Sequence, residues 1–293
     1  RDCGLSAEYC DEKRGGMIMA KESKGFQAFR YIFLVLSSVF VLIPIMPLIY
    51  MAFKTGAEYT ETSVLTPPKN WFSMYNFAYA IRVGNLGKAL ITTVVVLAIS
   101  LTLQILFTTM AAYVLHRFEF KMKKIVTSLF TLTMFIPLVT TQTVVFQIMY
   151  KLKLVSTIWS VIILYSGVGC VGLYIMFNLL DSISKELDEA ALVDGANYFT
   201  IFHKIIFPLL KPACTTLLIL NGISYYNDFY IPNLYLRKDV RTFTVALYKF
   251  FGNTATPFEI VAAAILIGII PIGIVYIFMQ KYIFYAMAGA VKS

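Results

Sequence analysis

The sequence predicts an all-α membrane protein with six transmembrane helices. Hydrophobic residues make up 59% of the 293 residues and charged residues only 14%, whereas soluble domains carry about 25% charged residues. Mean hydropathy is +0.74. Uncharged apolar runs of about 20 residues recur along the chain, which is the length that crosses a bilayer as a helix. Because lipid offers no hydrogen-bond partners, each run is predicted to bond its backbone internally as a helix.

Six apolar runs meet this length. They are Phe29–Phe53, Leu86–Leu115, Ile125–Tyr150, Ile158–Leu180, Pro212–Ile231 and Phe258–Tyr285. Proline inside a helix removes a hydrogen bond and kinks it. Kinks are therefore expected at four prolines within these runs, which are Pro44, Pro47, Pro137 and Pro271. Gly167, Gly169 and Gly172 are expected to let a neighbouring helix approach the fourth run closely.

These runs define the predicted organisation of the chain. Residues 1–28 are expected to be an N-terminal tail, residues 29–285 the membrane domain and residues 286–293 a C-terminal tail. Met17 or Met19 would be a natural start, so residues 1–16 are expected to be additional and disordered. The segment Lys54–Asn85, which contains Pro67–Pro68 and several aromatic residues, is expected to be irregular with a short interfacial helix.

The net charge of +9 fits a membrane surface better than nucleic acid, because the basic residues lie mostly at the ends of apolar runs. With the N-terminus in the cytoplasm, most of the 25 Lys and Arg residues fall on cytoplasmic segments. The positive-inside rule then predicts that both termini are cytoplasmic.

A charged segment, residues 182–211, separates the fourth and fifth runs. Ser184 is predicted to cap a first helix with acidic residues near its start, and Gly195 to end it in the left-handed conformation. Asn197 is predicted to cap a second helix. Apolar residues recur there at three- and four-residue spacing. Periodicity alone fits a plain connector lying on the membrane equally well.

Polar residues within the runs are candidates for a substrate path. They are Gln142 in the third run and Asn221, Tyr225, Asn227 and Asp228 in the fifth. Hydroxyl and amide groups beside aromatic rings suit a sugar, which has hydroxyls and apolar ring faces. The same residues could instead bond helices to one another, and Asp228 could instead face water at a helix end.

No enzymatic chemistry emerges from the sequence. It contains no G-x-x-x-x-G-K-[ST] motif, no catalytic constellation and no cysteine spacing typical of a metal site. His116 and His203 are assigned no chemical role. An ion-coupled secondary transporter is the alternative function, but such proteins need ionisable groups deep in the membrane, and the predicted spans have none at their middles. A membrane anchoring protein would explain only the hydropathy.

The residues of the charged segment resemble a specific family pattern. Glu189-Ala190-Ala191, Asp194-Gly195-Ala196, Phe202, Ile205, Pro208 and Pro212 match the EAA motif of the permease subunits of binding-protein-dependent ABC importers. The resemblance is closest to the carbohydrate-uptake, maltose-type permeases. It extends to AAYVLHRFEF from Ala111, to YNDFYIPNL from Tyr226, and to the C-terminal QKYIFYAMAGAVKS, in which Lys281 and Ala286 replace the usual Arg and Gly.

This resemblance implies a type I importer permease fold in a bacterial inner membrane, with residues 182–211 as a coupling loop that docks onto an ATPase. The implied partners are a second homologous permease, an ABC ATPase dimer holding ATP and Mg²⁺, and an extracellular solute-binding protein. No cofactor is expected on this chain. The substrate would be a carbohydrate, whose site could belong mainly to the partner permease.

The resemblance also implies roles within the coupling loop. Glu189 would be the charged contact and Gly195 the hinge or turn. Ala190, Ala191 and Ala196 would allow close approach, and Phe202 and Ile205 would fill the docking groove. Asp194 and Pro208 complete the implied coupling residues.

Overall fold

The computed structural model describes residues 24–237, 240–252 and 256–290, with side chains from residue 26 to residue 280. The expected tail over residues 1–23 and the side chains of Lys281 and Ala286 lie outside this description. The N-terminal part contains α1 (Lys24–Leu42), α2 (Ile45–Phe53), α3 (Gly56–Glu61), α4 (Tyr75–Val83) and α5 (Leu86–Arg117). The expected interfacial segment before α5 thus holds two short helices, α3 and α4.

The remaining helices alternate between broken spans and connecting pieces. They are α6 (Lys123–Thr133), α7 (Leu138–Lys151), α8 (Ile158–Tyr165), α9 (Cys170–Asp181), α10 (Glu186–Val193), α11 (Tyr198–Leu209), α12 (Lys211–Asn227), α13 (Tyr230–Tyr235), α14 (Phe243–Phe251) and α15 (Phe258–Ala290). Within the described residues the fold is therefore helical throughout, as the sequence predicts.

The six predicted spans all fall on helices, but most of them are bent and not straight. Within the described residues, Leu86–Arg117 and Phe258–Gln280 are the two single helices long and apolar enough to cross a membrane. Three of the predicted spans are bent pairs: α1 with α2 at 44°, α6 with α7 at 107°, and α8 with α9 at 41°. The α12 helix continues from α11 through a bend of 68°. The total reaches six only when each bent pair counts as one span.

Proline and glycine explain most of these bends. Pro44 lies at the break between α1 and α2. Pro137 lies between α6 and α7, where the chain bends by 107°, a much larger angle than a proline kink within a helix. By contrast, α15 continues through Pro271 without a break. The fourth span breaks between Tyr165 and Cys170, so Gly167 and Gly169 lie in a bend rather than at a helix contact. Gly172 does allow close packing, because a Cβ there would lie 3.2 Å from Thr108.

Helix α5 is the centre of the bundle. It packs against α8, α9, α12 and α14, while α15 packs against α2, α4 and α12. The largest buried cluster lies at the C-terminal end of α5 and joins α9, the loop helices α10 and α11, and the start of α12. Residues 182–211 are thus packed onto the bundle and not only tethered to it.

Candidate functional site

The turn at the centre of residues 182–211 forms as the sequence predicts. The Ser184 hydroxyl accepts a hydrogen bond from the Glu186 amide at 3.2 Å. At the other end of α10, Gly195 has φ +83°. The Ala196 amide donates to the Ala191 carbonyl at 2.9 Å and the Gly195 amide donates to the Leu192 carbonyl at 3.0 Å. This pair of bonds is the Schellman arrangement that ends a helix at a left-handed glycine.

The second helix of the unit starts at its predicted cap and contains a wide turn. Asn197 Oδ1 accepts a hydrogen bond from the Thr200 amide at 2.8 Å. Residues Phe202–Ile206 form a π turn within α11. Proline in a regular α-helix clashes with the carbonyl four residues before it, which is Lys204 for Pro208. A wider turn over Phe202–Ile206 is consistent with relief of that clash.

The end of α5 holds this unit through side-chain contacts. Arg117 Nε lies 2.9 Å from Asp188 Oδ2, and the side chains are 5% and 13% exposed. Another nitrogen of Arg117 donates to the Ile183 carbonyl at 2.8 Å. His116 Nε2 lies 2.8 Å from Asp181 Oδ1. Consecutive residues of α5 therefore contact both α10 and the segment that leads into it.

Burial raises the pKa of the Asp188 carboxyl, and the Arg117 guanidinium opposes part of that rise. Among the described residues, neither the buried Asp188 Oδ1 nor Arg117 Nε has an aligned hydrogen-bond partner, although Arg117 Nε makes a close charge contact. The pair is therefore a charge contact that is only partly satisfied by hydrogen bonds.

The predicted coupling residues divide into an outward and an inward set. Glu189, Ala190, Asp194, Gly195 and Pro208 are exposed, and Ala196 and Ile205 are half-buried. The exposed set is extended by large apolar side chains, because Val193 is 89% and Phe199 is 71% exposed. Together, Glu189, Val193 and Phe199 form what we call the turn face of the unit.

Two coupling residues need correction. Phe202 is 7% exposed and packs in the chain's own core, with its ring 5.5 Å from that of Tyr113. Ala191 is likewise buried in that core. Phe202 therefore cannot fill a groove on a partner without leaving its own core, and Ala191 permits packing within the chain. The neighbouring Phe199 was not identified from the sequence, because the apolar periodicity used for this helix did not include it.

A second polar site lies between α5, α8 and α12. Gln104 donates to the Tyr225 hydroxyl at 2.8 Å and accepts from the Asn221 amide at 2.9 Å. The Tyr165 hydroxyl donates to Asp228 Oδ2 at 2.6 Å. We call these five residues the polar network. Of the predicted path residues, it brings together Asn221, Tyr225 and Asp228.

The other two predicted path residues lie elsewhere. Gln142 is 4% exposed and accepts a hydrogen bond from Tyr235 at 2.8 Å, so it joins α7 to α13. Asn227 donates to the Ile223 carbonyl of its own helix. Gln104 and Tyr165 were missed from the sequence, although a single amide within the apolar run of α5 was an available signal. Among the described residues, no group of three His, Cys, Asp or Glu side chains could hold a metal ion.

Comparison with known proteins agrees with this architecture. Residues 104–288 match the family described as "Binding-protein-dependent transport system inner membrane component". The chain is 33% identical over 256 residues to the melibiose/raffinose/stachyose import permease protein MelC of Bacillus subtilis, covering 86% of this chain and 91% of MelC. It is 33% identical over 282 residues to the multiple sugar-binding transport system permease protein MsmG of Streptococcus mutans, covering 94% and 100% respectively.

A solved structure shares the fold. It is the crystal structure of a bacterial ABC transporter involved in the import of the acidic polysaccharide alginate, and its matching chain gives a TM-score of 0.76 at 24% identity. The match covers 89% of this chain and 98% of that chain. The family match spans more than half of this sequence, and the relatives align over nearly their whole length. The chain therefore belongs to the family of binding-protein-dependent transport system inner membrane components.

Proposed function

We propose that this chain is a permease subunit of an ATP-driven importer for a neutral sugar or oligosaccharide. The relatives MelC and MsmG are sugar permeases by name. The polar network supports the same substrate class, since its amides, hydroxyls and tyrosine rings suit sugar hydroxyls and ring faces. Among the described residues of that network, Asp228 is the charged one, and its carboxylate would repel an anionic polysaccharide.

The observation that carries the proposal is the turn face. Val193 is exposed one turn after Glu189 on α10, and Phe199 is exposed on α11, so this unit presents apolar and acidic side chains to its surroundings. Its backbone is fixed by a Schellman turn and an Asn cap. An exposed apolar patch with a polar rim is typical of a protein-binding surface. We propose that the turn face binds a cytoplasmic ATPase subunit. ATP and Mg²⁺ would be bound by that ATPase subunit and not by this chain.

The remaining partners follow from the proposed import cycle. A second, homologous permease would complete the membrane pathway, a solute-binding protein would deliver the sugar from outside, and membrane lipid would surround the exposed apolar helices. Both termini would lie in the cytoplasm together with the coupling loop, because most Lys and Arg residues fall on that side. The spans would alternate between inward- and outward-facing states as the ATPase closes.

Affinity purification from the native membrane tests the ATPase contact. A tagged chain should recover a P-loop ATPase and a second permease, identified by mass spectrometry. Glu189→Lys should reduce the recovered ATPase, because it reverses the charge on the turn face. Glu119→Lys is the matched control, since Glu119 is also exposed but lies outside α10 and α11. Recovery of folded wild-type chain without an ATPase would contradict the proposal.

Uptake measurements test the substrate class separately. Cells that depend on this transporter should accumulate labelled raffinose and should not accumulate labelled oligomers of alginate. The same cells expressing an ATPase-deficient partner provide the background. Preferential uptake of the acidic oligomer would show that the neutral-sugar assignment is wrong, without affecting the ATPase contact.

A further inference from the structure

The ion pair between Arg117 and Asp188 joins the end of α5, which is an unbroken span, to the coupling loop, residues 182–211. Arg117 is the last residue of α5, and Asp188 lies in the first turn of α10. The Arg117 side chain contacts both Asp188 and the Ile183 carbonyl. A single guanidinium therefore contacts both the segment just before α10 and the first turn of α10.

Stability alone is a weak explanation for this pair. Removing two charges from water costs free energy, and an apolar pair of similar size is often as stable or more so. Here the cost is increased because Asp188 Oδ1 and Arg117 Nε have no aligned hydrogen bond in the described part of the chain. What Arg117 supplies that apolar packing does not is a pair of directed contacts, since its donor fork divides between the Asp188 carboxylate and the Ile183 carbonyl.

The orientation of Asp188 toward Arg117 matters because Glu189 is the next residue on the same helix. Consecutive residues on an α-helix point about 100° apart. With Asp188 turned inward to Arg117, Glu189 is turned outward, and it is exposed in the structure. The rotation of α10 that places Glu189 on the turn face is thus set by the Arg117 contact.

The same contact connects the turn face to the polar network. Gln104 lies on α5, about 20 Å along the helix axis from Arg117 at 1.5 Å per residue. The α5 helix is unbroken between them. A displacement of α10 that is transmitted through Arg117 would therefore move the helix that carries Gln104.

We propose that Arg117 and Asp188 are positioning residues that make α10 and α5 move together, so that force applied to the turn face reaches the polar network. This inference rests on the proposed function, because it assumes that an ATPase acts on the turn face. Neither residue contacts substrate or ATP in this proposal.

The test uses the complete complex in proteoliposomes, with its ATPase, second permease and binding protein. The double variant Arg117→Met/Asp188→Leu replaces the two charged side chains by apolar ones of similar volume. It should assemble with the same subunits. We expect the amount of sugar moved per ATP hydrolysed to fall at least about fivefold, the lower range of measured coupling effects between sites. Arg117→Lys keeps the charge but loses the fork, so the same ratio should fall with it as well.

Glu119→Gln is the matched control, because it removes the exposed ion pair with Lys123 in the same segment. That variant should keep the wild-type ratio. An assembled double variant with an unchanged ratio would overturn the inference while leaving the ATPase contact intact. Failure of the wild-type chain to recover any ATPase would instead contradict the proposed function on which the inference depends.

Discussion

Tyr165 and Tyr225 stack face to face, with ring centroids 4.0 Å apart and an angle of 2° between the planes. Tyr165 ends α8, directly before the break in the fourth span, and Tyr225 lies on α12. The Tyr225 hydroxyl also lies 3.4 Å from the Tyr165 carbonyl, and Gln104 donates to the Gly167 carbonyl at 3.4 Å. Side chains of other helices therefore bond the carbonyls that the break would leave unpaired in lipid.

Replacing Tyr165 by phenylalanine should destabilise the protein by about 1.5–3 kcal/mol, because Asp228 loses a hydrogen bond to its charged carboxylate. Tyr225→Phe should cost about 1 kcal/mol, since it removes only neutral bonds. Both variants keep the ring stack. Thermal unfolding of the purified complex in detergent would measure the difference. Equal stability of the two variants would show that the Asp228 bond is not the stronger one.

Substitution of Gly195 should act through the backbone alone, because nothing lies within 4 Å of a Cβ built there. A β-branched residue at φ +83° is strained. Gly195→Val is therefore expected to cost about 1–2 kcal/mol, and Gly195→Asn less, since asparagine tolerates this conformation. Gly195→Pro should abolish the turn and uncouple ATP hydrolysis from uptake without preventing membrane insertion.

Limited proteolysis of membranes containing these variants would report opening of the turn. Cleavage rates should increase from wild type to Gly195→Asn, then to Gly195→Val, and should be highest for Gly195→Pro. Identical rates for the valine and asparagine variants would contradict a backbone origin of the effect. Normal transport by Gly195→Pro would show that the turn is not needed for coupling.

Val193 and Phe202 should respond oppositely to substitution, although they lie in the same coupling loop. Val193→Asp changes an exposed residue and should alter stability by no more than about 0.5 kcal/mol, yet greatly reduce ATPase recovery. Phe202→Ala empties a site in the core and should cost about 3–5 kcal/mol. Co-purification and thermal unfolding would be measured on both. Full ATPase recovery with Val193→Asp would exclude Val193 from the contact.

Gly268 should not tolerate a methyl group. A Cβ at this position would overlap the buried ring of Phe243, whose neighbour Tyr226 donates a hydrogen bond to the Gly268 carbonyl at 2.9 Å. We expect Gly268→Ala to destabilise the protein by about 1–3 kcal/mol through overpacking. Gly273→Ala is the control on the same helix, because a Cβ there meets nothing within 4 Å. Expression level and thermal unfolding should rank Gly273→Ala above Gly268→Ala.

Local features of this fold were predictable from the sequence. Gly195 and Asn197 were identified correctly as a helix stop and a helix cap, since both roles depend on a residue's own backbone preference or on an amide three positions away. The contribution of Pro137 was only partly predicted. A kink was expected, but the sequence does not specify that the chain would turn by 107° there.

Contacts between distant residues could not be obtained in this way. Gln104 and Tyr225 are 121 residues apart, and Arg117 and Ile183 are 66 apart. Nothing in the local pattern indicates such pairs. The same limit explains the misplacement of Phe202, because apolar periodicity identifies a buried face but not whether this chain or a partner covers it.

The π turn in α11 makes the length of the chain between Asn197 and Lys211 matter. A π turn accommodates one more residue than an α turn, so Phe202–Ile206 holds a surplus residue inside an otherwise regular helix. Loss of one residue there would permit an ordinary α-helix without changing the register of α12, because the wide turn already absorbs the surplus residue. Loss of a second residue would rotate the chain by about 100° where it enters α12, and would turn Asn221 and Tyr225 away from Gln104. The π turn therefore gives this stretch a tolerance for the loss of one residue but not of two.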